Sequence, residues 1–121
     1  MDFSVLDSYG VDYRQGIRRC MDDSEVYHQM LIAFLEDDSF DRAKKAFASR
    51  DYRGMFNCMH ELKGACGNAD FTALYEAVVP LVEILRSGEA EESAEEVEKK
   101  LQTVSMAYER TREGVSLALG M

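Results

Sequence analysis

With 121 residues the chain has room for one domain and not for a second. Hydrophobic residues make up 46% and charged residues 31%, the balance of a globular chain, and a single Pro argues against a loop-rich all-β fold. With 23 acidic against 14 basic residues the net charge is −9, which repels phosphate backbones and anionic bilayers and so disfavours nucleic-acid and membrane partners.

Three Cys is an odd count, so a complete intrachain disulfide framework is excluded. Cys20, Cys58 and Cys66 read as reduced thiols of a cytoplasmic protein. The N-terminal MDFSVLDSYG lacks the basic-then-apolar order of a signal peptide. No apolar run approaches the roughly 20 residues of a membrane span. The start at Met1 and the well-filled length favour a freestanding protein.

Along the chain, Gly10 breaks a first segment and Tyr13 to Cys20 reads as a short helix. Ser24 is the expected N-cap of the next helix, after the turn-like Met21-Asp22-Asp23. Val26, Met30, Leu31, Phe34 and Leu35 recur at helical spacing as one apolar stripe. Asp37-Asp38-Ser39 interrupts or bends it, and Phe40, Ala43 and Phe47 carry a similar stripe to Ser49. Asp51 caps a helix whose apolar seam is Tyr52, Met55, Met59, Leu62 and Cys66, with gaps alternating between three and four. Gly67 and Asn68 are placed to end it.

Asp70 or Thr72 caps the following helix, with Leu74, Val78, Leu81 and Leu85 as its stripe and Phe71, Tyr75 and Val82 beside them. Pro80 is expected to bend this helix and Gly88 to end it. The acidic run Glu89 to Glu98 suits a helix N-terminus and a solvated face. Val97, Leu101, Val104, Tyr108 and Val115 continue the last stripe. The expected fold is all-α: an antiparallel four-helix bundle with short extra N-terminal helices, one domain over 1–121 with its bundle core at about 24–119. It is expected to be monomeric.

The helix from Asp51 to Asn68 carries the chemistry. At 100° per residue, Met55, Met59, Leu62 and Cys66 cluster about 130° away from His60, which therefore faces water. Arg53, Phe56, Asn57, Lys63, Gly64 and Gly67 lie within about 60° of it. Each helical glycine costs about 1 kcal/mol relative to alanine, so two beside an exposed histidine read as space kept open for another macromolecule. Lys63, one turn on, is placed to reach an anion held on the ring; Arg53 adds to it more weakly. An imidazole in water is partly uncharged and nucleophilic at neutral pH, and its attack on a phosphoryl group gives a phosphoramidate whose charge Lys63 partly matches. No carboxylate triad for Mg²⁺, no GxGxxG and no P-loop is present, so the activated phosphoryl group must come from another protein.

Blander readings compete at each position. His60 as a plain surface histidine leaves the paired glycines unexplained. A metal site of Cys58, His60 and Cys66 fails because Cys58 and His60 point to nearly opposite sides of one helix and no CxxC exists. His28 reads as a structural helix residue, and Met30, Met55 and Met59 as core packing. Phe56 is balanced between anchoring a partner and folding into the core edge.

The run His60-Glu61-Leu62-Lys63-Gly64-Ala65-Cys66-Gly67-Asn68, with Leu74 beyond it, resembles the core motif of the histidine-containing phosphotransfer (HPt) domains of two-component phosphorelays, of bacterial type. The likeness extends more loosely from Gly10 to about Gly88. It implies a four-helix bundle in which His60 is the phosphoacceptor through Nε2, Lys63 stabilises the phosphoryl group and Gly64 leaves room for the partner. Arg53, Phe56, Asn57 and Gly67 are the expected partner-binding positions. The implied partner is a response-regulator receiver domain, or a hybrid sensor histidine kinase, exchanging phosphate reversibly between an aspartate and His60. The receiver would supply Mg²⁺, and this chain would hold no cofactor or metal of its own. The chain departs from the family at Asp70, where many members have Gly, and at Val82, where many have Glu. The alternative is a non-catalytic helical module that docks a receiver or kinase without being phosphorylated.

Overall fold

The computed structural model describes residues 2–121. A 3-10 helix, Phe3–Tyr9, leads into six α-helices: α1 (Tyr13–Arg19), α2 (Ser24–Glu36), α3 (Ser39–Ala48), α4 (Tyr52–Ala69), α5 (Thr72–Arg86) and α6 (Ala94–Ala118), with no strand among the described residues. Aspartates open most of these elements. Asp2, Asp12, Asp23 and Asp51 each accept a hydrogen bond from a backbone N–H in the turn that follows, and each such cap contributes about 1 kcal/mol. Ser24 is thus not the cap of α2. Asp23 takes that role, accepting from the N–H groups of Glu25 and Val26 at 3.0 and 3.3 Å.

α2 buries Tyr27, Leu31 and Phe34, while Val26, expected in the stripe, is 46% exposed. The inward position belongs to Tyr27 because its hydroxyl has a partner inside, donating to the carbonyl of Ala69 at 2.8 Å. Asp37-Asp38 interrupts the helix rather than bending it: the Asp37 carboxylate accepts from the Ser39 N–H at 2.6 Å as α3 begins. α2 does not fold back on α3. It packs against α4 and α6, while α3 packs along α4.

α4 lies between α3 and α5, and α5 packs against α6. The result is a four-membered bundle whose first member is the broken pair α2/α3 and whose remaining members are α4, α5 and α6. Its core closes on four aromatic rings, with Phe34–Phe71 and Phe40–Tyr108 centroids each 4.6 Å apart and Phe34–Tyr108 at 5.5 Å. The two pairs made by Phe34 are edge-to-face and Phe40–Tyr108 is tilted, and aromatic pairs of this kind add to the burial of the rings.

α4 runs past Gly67 and Asn68 to Ala69 and stops at Asp70, whose φ of 56° is left-handed. The side chain of Asp70 does not cap α5; it pairs with Arg19 at 2.9 Å. Thr72 lies inside α5, and the buried Phe71 takes the cap position without a side-chain bond. α5 continues through Pro80, which lies on the exposed side where water can serve the carbonyl left without a donor. α6 begins only at Ala94, so Glu89, Glu91 and Glu92 lie in the connection before it and Glu95 and Glu96 occupy its first turn. The 3-10 helix packs along α6, with the Tyr9 ring against Gly114. No helix among the described residues is long and apolar enough to cross a membrane.

Candidate functional site

The seam of α4 is buried as its spacing requires: Met55, Met59, Leu62 and Cys66 are each fully inaccessible. Burying that seam turns the opposite side of the helix outward, and His60 is exposed there, in the middle of an 18-residue helix. One turn before it, the half-buried Phe56 ring lies 5.7 Å from the imidazole, centroid to centroid, with the planes 35° apart. The Phe56 ring also meets the Arg86 guanidinium of α5, 5.7 Å from the ring centroid. Phe56 therefore stands at the edge of the core and is also the floor between the histidine and an arginine from the neighbouring helix.

The charges on this face are arranged by pairing. Glu61 follows His60 in sequence, but its carboxylate is drawn toward α3, where Arg42 donates to it at 2.9 Å and to Asp38 at 2.9 Å. Those two hydrogen bonds, to Glu61 first and then Asp38, raise the Arg42 guanidinium above its ordinary range, and Arg42 in turn holds the Asp38 carboxyl below its own. Lys63, half-buried one turn beyond His60, makes no ion pair among the described residues. Its ammonium remains available to an incoming anion.

The two glycines of the face differ. A Cβ built on Gly64 meets nothing within 4 Å, so the backbone there is open to solvent. A Cβ on Gly67 would lie 3.5 Å from the Tyr75 ring of α5, so this glycine is partly covered within the chain itself. Arg53 and Asn57 are exposed and line a cleft with Arg50, Phe56 and Arg86. Sequence reasoning placed Arg53, Phe56 and Asn57 on the His60 face but missed Arg86 and Arg42. Both arrive from other helices, and periodicity within one helix carries no signal for them.

The remaining candidates fall elsewhere. His28 lies on α2, its Nδ1 3.9 Å from Glu25 of its own helix. Cys58 and Cys66 are buried while His60 is exposed, and no three His, Cys, Asp or Glu side chains among the described residues gather where they could hold a metal ion. Burial pushes the Cys66 thiol up to about 12, with Asp37 adding to it.

A helical bundle with a solvent-facing histidine at the middle of a central helix is the architecture of a histidine phosphotransfer module, a phosphoryl carrier in phosphorelays rather than an enzyme. The family model described as Hpt domain matches residues 26–114, and the chain belongs to that family. No curated protein and no solved structure matches it. Both departures from the family pattern have local reasons. Asp70 stands in a left-handed turn that glycine enters freely and that aspartate tolerates better than most residues, and its ion pair with Arg19 helps to hold it there. Val82 is fully buried, where an unpaired carboxylate would be costly.

Proposed function

We propose that His60 is the phosphoacceptor of this module and exchanges a phosphoryl group with the aspartate of a response-regulator receiver domain. The observation that carries the reading is the conjunction on one exposed helix face of His60, the open backbone at Gly64 and the unpaired Lys63. In the transfer, the imidazole presents its lone pair on Nε2 and keeps its proton on Nδ1. The P–N bond forms as the P–O bond to the receiver aspartate breaks, and the electron pair leaves on the aspartate carboxylate. Run in reverse, the same displacement returns the group.

Lys63 offsets part of the charge on the phosphoryl oxygens, and the pairing of Glu61 with Arg42 draws the carboxylate next in sequence toward α3. The receiver supplies Mg²⁺ and the acidic pocket around its aspartate. Gly64 lets the receiver loops approach the ring without meeting a side chain. This chain acts as a monomer that takes and gives the group.

The test uses a receiver domain phosphorylated on its aspartate and follows acid-labile label on this chain. Wild type is expected to take the label and His60→Gln to take none. Lys63→Ala is expected to slow transfer or shorten the life of the labelled form, by roughly 10-fold if one charge-assisted contact of about 1.5 kcal/mol is lost. Equal labelling of wild type and His60→Gln refutes the reading. A receiver that binds both equally while neither is labelled makes this chain a docking module only.

A further inference from the structure

The start of α4, the end of α5 and the connection into α6 enclose a cleft of about 660 Å³. It begins where Phe56 ends the His60 face, so the two are continuous. Three arginines line it: Arg50 from the α3–α4 turn, Arg53 from α4 and Arg86 from α5. Two carboxylates line it as well. Asp51 is committed to the start of α4, accepting from the Gly54 N–H at 2.9 Å, and Glu91 comes from the connection into α6. Arg86 is also held by Glu83 at 3.0 Å. Arg53 makes no ion pair among the described residues. In a chain of net charge −9, a cation-lined recess floored by an aromatic ring is where an acidic partner surface meets the least repulsion.

We propose that this cleft is a second docking point for the receiver partner, and that it takes an acidic segment of that partner: an Asp or Glu reaching Arg53 and Arg86, beside an apolar side chain on Phe56. The inference rests on the reading of His60 as the site of transfer. The cleft lies about one to two turns from His60 along α4, so a contact there fixes how the receiver is turned about the histidine without touching the reacting atoms. It makes the acidic segment a selector among receivers whose catalytic pockets are chemically alike. Charged contacts at a rim act mainly on association.

The experiment takes the receiver of the source organism that binds this chain and measures both its Kd and the kinetics of transfer. It compares wild type, Arg53→Glu, Arg86→Glu and Arg53→Gln with Arg18→Glu, which makes the same charge change on α1, a helix that takes no part in the cleft. Arg53→Glu and Arg86→Glu are expected to raise Kd and KM roughly tenfold, with a larger effect on KM than on kcat and a flatter dependence on salt. Arg53→Gln is expected to fall between, and Arg18→Glu to match wild type. Unchanged Kd and salt dependence in the two cleft variants overturns the proposal, as does an equal effect from Arg18→Glu. The two readings fail separately: if wild type binds the receiver through Arg53 but takes no label, the phosphoacceptor reading falls and the cleft stands. If His60 is labelled and the cleft variants bind as wild type does, the cleft falls alone.

Discussion

Replacing Gly64 by alanine is expected to make the protein more stable, which is an unusual result for a residue beside the proposed phosphoacceptor. The magnitude follows from the surroundings. The position is mid-helix, and a Cβ there meets nothing within 4 Å, so no packing term opposes the gain in helix propensity of about 1 kcal/mol. For a chain of this size that corresponds to a rise in Tm of roughly 3–6 °C. Gly67→Ala is expected to move the same way, because its Cβ would make an ordinary 3.5 Å contact with Tyr75. Gly16→Ala is the opposite control: its Cβ would overlap the buried Tyr27 ring, and overpacking of this kind costs about 1–3 kcal/mol.

Thermal unfolding followed by far-UV circular dichroism reads all three variants on one scale. Gly64→Leu completes the series, with a fold as stable as wild type and transfer from a phosphorylated receiver blocked. A Gly64→Ala variant that melts below wild type shows that the backbone there is not free. Gly64→Leu with normal transfer removes the argument that the glycine is there for close approach.

Two further expectations concern the interior. Tyr27→Phe removes a buried hydroxyl that donates to the Ala69 carbonyl at 2.8 Å, and urea unfolding should show a loss of about 0.5–1.5 kcal/mol with an unchanged m-value; an unchanged midpoint would mean the bond contributes nothing net. Burial raises the Cys66 thiol to about 12, so its contribution to stability is whole below the free thiol's ordinary value near 9 and is lost as pH climbs from there through about 12. Thiol-reactive dye at pH 8 should label Cys66 only after unfolding, and rapid labelling in the native state would contradict the burial.

Much of this was legible in the sequence because it depends on one helix at a time. The seam of α4 follows from gaps of three and four, and the outward direction of His60 follows from that seam. Errors appeared where a neighbouring element decides the outcome. Val26 and Tyr27 are equally acceptable as the inward residue of α2 until Gly16 and the Ala69 carbonyl make room and a partner for the phenol. Asp70 has the composition of a cap, yet a left-handed turn and Arg19, 51 positions away, take its side chain elsewhere. Arg86 reaches the Phe56 ring beside His60 only because α5 packs on α4. Gly64 and Gly67 are indistinguishable on a helical wheel, and only the position of Tyr75 separates them.

The contacts of the first 25 residues bear on how the protein is cut for experiments. The Asp12 N–H donates to the Asp70 carbonyl and the Ala73 N–H to the Gly10 carbonyl, Arg19 pairs with Asp70, and Gly16 gives Tyr27 its space. All four brace the turn between α4 and α5, yet all four come from residues that precede the stretch 26–114 matched by the family. A fragment trimmed to that stretch would keep the histidine and lose the brace at the far end of its helix. Its turn would then exchange amide hydrogens faster than in the whole chain. The packing around the α4–α5 turn thus extends further on the N-terminal side than the matched stretch does.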